Sequence, residues 1–235
     1  MTIHLPNVNT ETNGRVHFAP FWPDENPELI PSLVVCYQKC FADEPWNEWV
    51  KCPHCHDHWG KRHEKMLKET NFHCPVCLVE LIPFWPAEQI EAEIRSEISP
   101  EASCWLAKHD DQVIGFCWGY PITPRHLEQK LNLPLTAAIA EHFSHQSRVA
   151  YQDEVGVHHD WRQHKIATAM VRRRLTDFLT QGLQIGVVRT REKPRPSVTF
   201  SWYTRKLGYK IIARYPDNDG RVVLGRYLHG LDALL

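Results

Sequence analysis

Val149–Leu175 reads VAYQDEVGVHHDWRQHKIATAMVRRRL and changes period halfway along. Val149 to Val157 carries β-branched and aromatic residues in the alternation of a strand. Strict alternation sets Tyr151, Asp153, Val155 and Val157 on one face, with Gln152, Glu154 and Gly156 on the other. Ile166, Met170 and Phe178 then recur at helical spacing, with Val171, Leu175 and Leu179 beside them. Between the two lies His158 to Lys165, polar and partly basic. The stretch therefore predicts strand, turn and helix, the helix opening near Lys165. The start of a helix leaves N–H groups unpaired and carries partial positive charge, which suits phosphate oxygens. Arg162, His164 and Lys165 put basic side chains at the same point.

The rest of the chain bounds what such a unit can belong to. At 235 residues it can bury a sizeable core, as one domain with an addition or as two small domains. Its 27 basic and 28 acidic side chains leave a formal charge of −1, so nucleic acid is not expected as a partner. The opening MTIHLPNVNTETNG has no apolar core of an export signal, and no apolar run suits a membrane span. The expected compartment is the cytoplasm, where eight cysteines read as thiols or metal ligands and not disulfides.

In chain order, Arg15–Phe21 reads as a strand and Glu28–Phe41 as a helix, with Leu29, Leu33, Tyr37 and Phe41 in one row. Cys36 and Cys40 on that helix read as small core residues. Cys52-Pro-His-Cys55 and Cys74-Pro-Val-Cys77 follow, a spacing that lets four thiolates converge on one Zn2+. His54, His56, His58, His63 and His73 crowd the same segment, and one of them replacing a cysteine is the alternative ligand set. Closing such a site supplies folding energy that a short segment cannot obtain from its own core. Lys61, Arg62, Lys65 and Lys68 read as a solvated face.

An acidic amphipathic helix begins at Pro86. Ser103–Ala107 and Gln112–Tyr120 read as a hairpin around His109-Asp-Asp. Two short helices, His126–Leu131 and Leu135–Phe143, lead to the decisive strand. Beyond it come a strand at Leu183–Thr190, a helix at Pro196–Leu207, and a hairpin of Lys210–Tyr215 with Arg221–Leu228 turning at Asn218-Asp-Gly220.

Val157–Met170, VHHDWRQHKIATAM, resembles the acetyl-CoA motif of the GNAT acetyltransferase superfamily, V-x-P-x-Y-[R/Q]-x-x-G-x-[G/A]. Val157, Arg162 and Ala167 match and Trp161 stands at an aromatic position, whereas His159 replaces Pro and Lys165 replaces the first Gly. A glycine there lets the backbone approach the pyrophosphate, so Lys165 implies an altered loop. Asp43–Trp49 resembles the E-P-W-N segment of one GNAT subgroup, Val113-Ile-Gly-Phe its third strand, and Val188-Arg-Thr-Arg191 its L-x-T-x-R run. Leu207-Gly-Tyr209 resembles the end of the family's F-Y-x-K-L-G-F motif.

The resemblance implies an α/β GNAT fold, a mixed, mostly antiparallel central sheet flanked by helices. Residues 1–50 and 85–235 would form the acetyltransferase domain and 51–84 an inserted zinc ribbon. It implies transfer of the acetyl group of acetyl-CoA to a primary amine of a small molecule or protein, by a monomer or homodimer. Glu154 stands where the subgroup often carries a base, with Asp153 as the alternative. Backbone groups of Val155 and Val157 would pair with the pantetheine, and Arg162, Gln163, His164, Lys165, Ile166, Ala167 and Thr168 would cradle the pyrophosphate. The family's acidic Tyr falls on Thr204, leaving Tyr203, one residue early, as the candidate. Arg172, Arg173 and Arg174 read as a solvated helix face, with the adenosine phosphate as their alternative partner. Lys165 and Thr204 also fit a second hypothesis, a non-catalytic binding protein that keeps the fold and uses its ribbon for interaction.

Overall fold

Seven strands form one sheet in the computed structural model, which describes residues 16–44, 46–192, 198–216 and 220–230. In chain order the elements are β1 (Val16–Pro20), α1 (Ile30–Ala42), β2 (Val50–Lys51), β3 (His58–Trp59), α2 (Glu64–Glu69), β4 (Ile82–Pro83) and α3 (Ala87–Glu97). The hairpin β5 (Ser103–His109) and β6 (Gln112–Ile122) follows, then α4 (Pro124–Leu131) and α5 (Thr136–Phe143). The chain continues through β7 (Val149–Val157), α6 (Ile166–Thr180), β8 (Ile185–Arg191), α7 (Val198–Ser201), β9 (Lys210–Arg214) and β10 (Arg221–Tyr227). The large sheet runs β1-β5-β6-β7-β8-β10-β9, antiparallel throughout except for β7 beside β8. Among the described residues no helix is long and apolar enough to cross a membrane.

The two faces of the sheet are covered separately. Leu33, Tyr37 and Phe41 of α1 and Ile90 and Ile94 of α3 pack on Phe116 and Trp118 of β6. Ile166, Met170, Leu175 and Phe178 of α6 pack on Cys117 and Ala150 from the other side. Each such side chain, fully buried, contributes roughly 1.5–3 kcal/mol. Helix α6 is rich in strong helix formers and stops where Gly182 turns to φ 78. The C-terminal helix is irregular: α7 covers Val198–Ser201 and passes into a π-turn over Trp202–Lys206. Pro196 and Ser197 of that expected helix, and Asn218 and Asp219 of the expected turn, lie outside the described residues, as do Arg15 and Pro45.

The ribbon leaves and rejoins the main chain at one place. Strand β2 pairs with both β3 and β4, and Val50 faces Pro83 in register. The ends of the insertion thus lie side by side, so α1 and α3 pack together as if it were absent. Val50, Cys52, Leu67, Cys74 and Leu81 form a core of its own.

Two irregularities in the sheet shape the site. On β7 the register with β6 slips: Trp118 faces Glu154, yet Tyr120 faces Tyr151. The extra residue makes a bulge, and Gly119 opposite it is obligatory because a Cβ there would collide with the Tyr151 carbonyl oxygen. The second irregularity is a splay. β7 pairs with β8 only from Ala150 to Gln152, against Gly186 to Val188. Beyond that, Asp153–Val157 and Arg189–Arg191 diverge and leave a cleft between them.

The bulge corrects the strict alternation expected for β7. Gln152 faces α6, where its side chain meets Arg174 and Tyr209. Asp153 does not face away from Glu154; it bonds Tyr120 and Lys130, on the side where Glu154 also lies. One extra residue on the strand shifts its side-chain period by one, and this places the two neighbouring carboxyls together.

Candidate active site

The cleft edge on β7 offers free backbone. His158 donates to the Ile114 carbonyl of β6, so alternate residues Gly156 and Glu154 direct their backbone toward β6. The backbone of Val155 and Val157 therefore faces the cleft, although Arg162 Nε already binds the Val157 carbonyl at 3.2 Å. On the facing strand Thr190, 4% exposed, has a hydroxyl with no partner among the described residues. These groups suit an extended ligand carrying amides.

Below the cleft, β7 turns into α6 through Gln163 at φ 69 and Lys165 at φ 59. Lys165 adopts a left-handed backbone of the kind glycine takes most readily. The N–H groups of Ile166, Ala167 and Thr168 lie in the first turn of α6, where no helical acceptor exists. Gln163, His164 and Lys165 make no backbone N–H bond among the described residues. The loop is therefore a concave row of donors with the positive end of α6 behind it. Arg162 is turned partly inward: its NH2 group donates to Cys40 O at 3.3 Å, tying the loop to α1. Neither Arg173 nor Arg174 belongs to a solvated face. Arg173 stacks on Phe18 and Trp105, and Arg174 is fully buried.

Beside the cleft four carboxyls gather from two elements, α3 and β7, and one loop. Trp85 Nε1 donates to Glu48 at 2.9 Å. Trp118 Nε1 and Lys130 donate to Glu97 at 2.8 and 2.7 Å. Tyr120 donates to Asp153 at 2.7 Å, and Lys130 lies 3.2 Å from the same oxygen. Among the described residues no donor reaches the carboxyl of Glu154. Burial first, and then the negative charge of Asp153, raises the Glu154 pKa well above the ordinary carboxylate range; Glu97 and Glu48 add to this and Arg189 opposes it. Burial likewise raises Glu97 and Glu48. Sequence reasoning reached Glu154 and Asp153 but not Glu48, Glu97, Lys130, Tyr120 or Arg189. They come from distant elements, and no local pattern marks them.

Neither candidate acid stands at the cleft as a free hydroxyl. Tyr203 is fully buried, accepting from Arg174 at 3.1 Å and donating to Gln152 Oε1 at 3.3 Å. Thr204 donates to Phe200 O within its own helical turn, at 2.8 Å.

In the ribbon, the sulfurs of Cys52, Cys55, Cys74 and Cys77 all lie within 4.8 Å of one another. Backbone N–H groups of His54 and Cys55 donate to Cys52 Sγ, and that of Val76 to Cys74 Sγ. Against the burial that opposes it, these N–H bonds and the neighbouring Cys77 thiol pull the Cys52 thiol down to about 6, and the same contact pushes Cys77 up. None of the ribbon histidines joins the cluster, and His73 Nδ1 is turned to the carbonyls of Thr70 and Asn71. The donor set is thus four sulfurs, two of which, Cys52 and Cys74, accept N–H···S bonds. The basic face of the ribbon is largely neutralised, since Lys61 and Lys68 pair with Glu64 and Arg62 with Glu44.

Comparison with known proteins agrees with this architecture. The family model described as "Acetyltransferase (GNAT) family" matches residues 29–209, well over half of the chain. The chain therefore belongs to the GNAT acetyltransferase family, whose reaction class is acetyl transfer. It is similar in fold to the PaiA N-acetyltransferase of Thermoplasma acidophilum, solved with coenzyme A (TM-score 0.52, 13% identity, 90% of this chain and 98% of that one). An acetyltransferase from Streptococcus agalactiae gives a TM-score of 0.51 at 13% identity, covering 92% and 99% of the two chains. The GNAT domain of S. lividans PAT gives 0.51 at 12% identity, covering 91% of each. No curated protein sequence matches the chain.

Proposed function

We propose that the protein transfers the acetyl group of acetyl-CoA to the nitrogen of a primary amine, with Glu154 as general base. One observation carries this reading: of the four clustered carboxyls, Glu154 alone has no donor among the described residues. A carboxyl already held by a lysine or tyrosine is a poor proton acceptor. Asp153 is so held, while Glu154 is open and has a raised pKa, which moves it toward the operating range of a base.

The amine arrives protonated, gives one proton to Glu154, and attacks the thioester carbon. The N–C bond forms as the C–S bond breaks, the nitrogen gives its second proton to solvent, and the thiolate of CoA takes a proton from solvent. Solvent fills that role because Tyr203 is enclosed and Thr204 is committed to Phe200. Val155 and Val157 would hold the pantetheine, and the loop from Arg162 to Thr168 the pyrophosphate. Cys52, Cys55, Cys74 and Cys77 would hold one Zn2+, whose part is to fold residues 51–84 and not to take part in the chemistry. The left-handed backbone of Lys165, a conformation open to glycine, supports this reading over that of a non-catalytic binding protein.

A panel of small amines and peptides, assayed for acetyl-CoA-dependent thiol release, tests the reading. At least one amine should give turnover above solvent hydrolysis. Binding of acetyl-CoA by calorimetry, with no turnover across the panel, would favour the binding protein instead.

A further inference from the structure

Helix α6 carries a guanidinium at a position where its pattern calls for an apolar side chain. Arg174 falls in the row Ile166, Met170, Phe178 and is 0% exposed. Its NH1 group donates to Trp118 O at 2.7 Å and to Glu154 O at 2.8 Å. Its NH2 group donates to Gln152 Oε1 at 3.0 Å and to the Tyr203 hydroxyl at 3.1 Å. Nε has no partner among the described residues, and none of these hydrogen bonds goes to a carboxylate. A buried cation without a counter-charge is expensive, and an apolar residue of similar volume usually serves stability as well or better. Stability alone is therefore a poor account of this residue.

Its partners suggest a better one. Trp118 and Glu154 face each other at the bulge, where the regular ladder between β6 and β7 is broken. Both carbonyls accept from the NH1 group of Arg174, which reaches them from α6 where the ladder ends. One guanidinium serves both, because its planar fork has donors to spare. The peptide that carries the Glu154 carbonyl is rigid, so fixing the oxygen fixes the Cα of Glu154 and the bond leading to its carboxyl. Gln152, Tyr203 and Tyr209 complete the hold: Tyr203 donates to Gln152 Oε1, and Gln152 Nε2 donates to the Tyr209 hydroxyl at 2.5 Å.

We propose that Arg174 is a positioning residue for acetyl transfer, holding the Glu154 carbonyl beneath the bulge and so aiming the Glu154 carboxyl into the cleft. The proposal rests on the reading of Glu154 as the base. Arg174 reaches neither acetyl-CoA nor the amine and acts only through the strand.

A double-mutant cycle with Arg174→Met and Glu154→Gln tests it, each variant first checked for a cooperative melt. Arg174→Met alone should lower kcat roughly 10- to 100-fold, the scale of a small misplacement of a catalytic group. In the Glu154→Gln background the same change should lower kcat by less than about threefold, because nothing remains to aim. Arg174→Lys, which can reach one carbonyl, should fall between wild type and Arg174→Met, and it serves in the cycle if Arg174→Met does not fold. Equal losses in both backgrounds would show a merely structural role and overturn the proposal. So would an Arg174→Met or Arg174→Lys variant with wild-type kcat. If Glu154→Gln itself retains full turnover, the base assignment falls first and this proposal with it, an outcome distinct from additivity.

Discussion

Replacing Lys165 by glycine separates what the backbone of the phosphate loop needs from what its side chain adds. Lys165 holds φ 59 and ψ 12, a left-handed conformation that costs a residue with a Cβ roughly 1–2 kcal/mol. Glycine removes that strain but loses roughly 0.5–1 kcal/mol through its freer unfolded chain. The net effect on the ligand-free protein lies between zero and about 1.5 kcal/mol of stabilisation. For a chain of 235 residues this raises Tm by no more than about 6 °C, at roughly 2–4 °C per kcal/mol. The effect on acetyl-CoA has the opposite sign. An ammonium on a phosphate oxygen is a charge-assisted bond of roughly 1.5–3 kcal/mol, so its loss weakens binding roughly 10- to 150-fold. Differential scanning calorimetry and titration calorimetry on one preparation read both quantities. A fall in Tm of several degrees would refute the strained-backbone reasoning. Unchanged acetyl-CoA affinity would refute the phosphate contact of Lys165.

Two further outcomes follow from the ribbon and from the charge cluster. Freshly purified protein should hold one zinc per chain, and Cys52→Ser should lose it with little change in the packing of α1 on α3, read by elemental analysis and near-ultraviolet circular dichroism; zinc-free wild-type protein would contradict this. The folded state raises the pKa of Glu154, so it binds more protons than the unfolded chain and loses stability as pH rises through the raised value. Glu154→Gln should therefore raise Tm at neutral and alkaline pH, and the difference should vanish once pH falls below the ordinary glutamate value; an equal difference at all pH values would contradict the assignment.

Much of the fold was legible because its signals are local. The change of period at Val157, the paired Cys-x-x-Cys turns and the alternation of β5 and β6 each sit within a few residues. The site was less legible, because its geometry comes from an exception to a period. One bulged residue on β7 brings Asp153 and Glu154 to the same side, which no alternation predicts. Gly119 was the available hint, since a glycine inside a strand often marks a bulge. Arg174 left a clearer one. It fills the missing place in the row of Ile166, Met170 and Phe178, and an arginine on the buried stripe of a helix calls for a reason. The carboxyls of Glu48 and Glu97 meet Glu154 only through tertiary packing.

The most direct test of the central claim is the pH dependence of kcat for Glu154→Gln against wild type, using an acceptor whose amine is mostly protonated at neutral pH. Glutamine keeps the size of the side chain but cannot take a proton. Turnover at neutral pH should fall roughly 10²- to 10⁴-fold, the span of a positioned base, with acetyl-CoA affinity nearly unchanged. The deficit should narrow as pH approaches the pKa of the amine, where solvent supplies the neutral nucleophile. Wild type should lose activity toward acid with a midpoint above the ordinary glutamate range, as the raised pKa of Glu154 requires. Full turnover by Glu154→Gln at neutral pH would contradict the account.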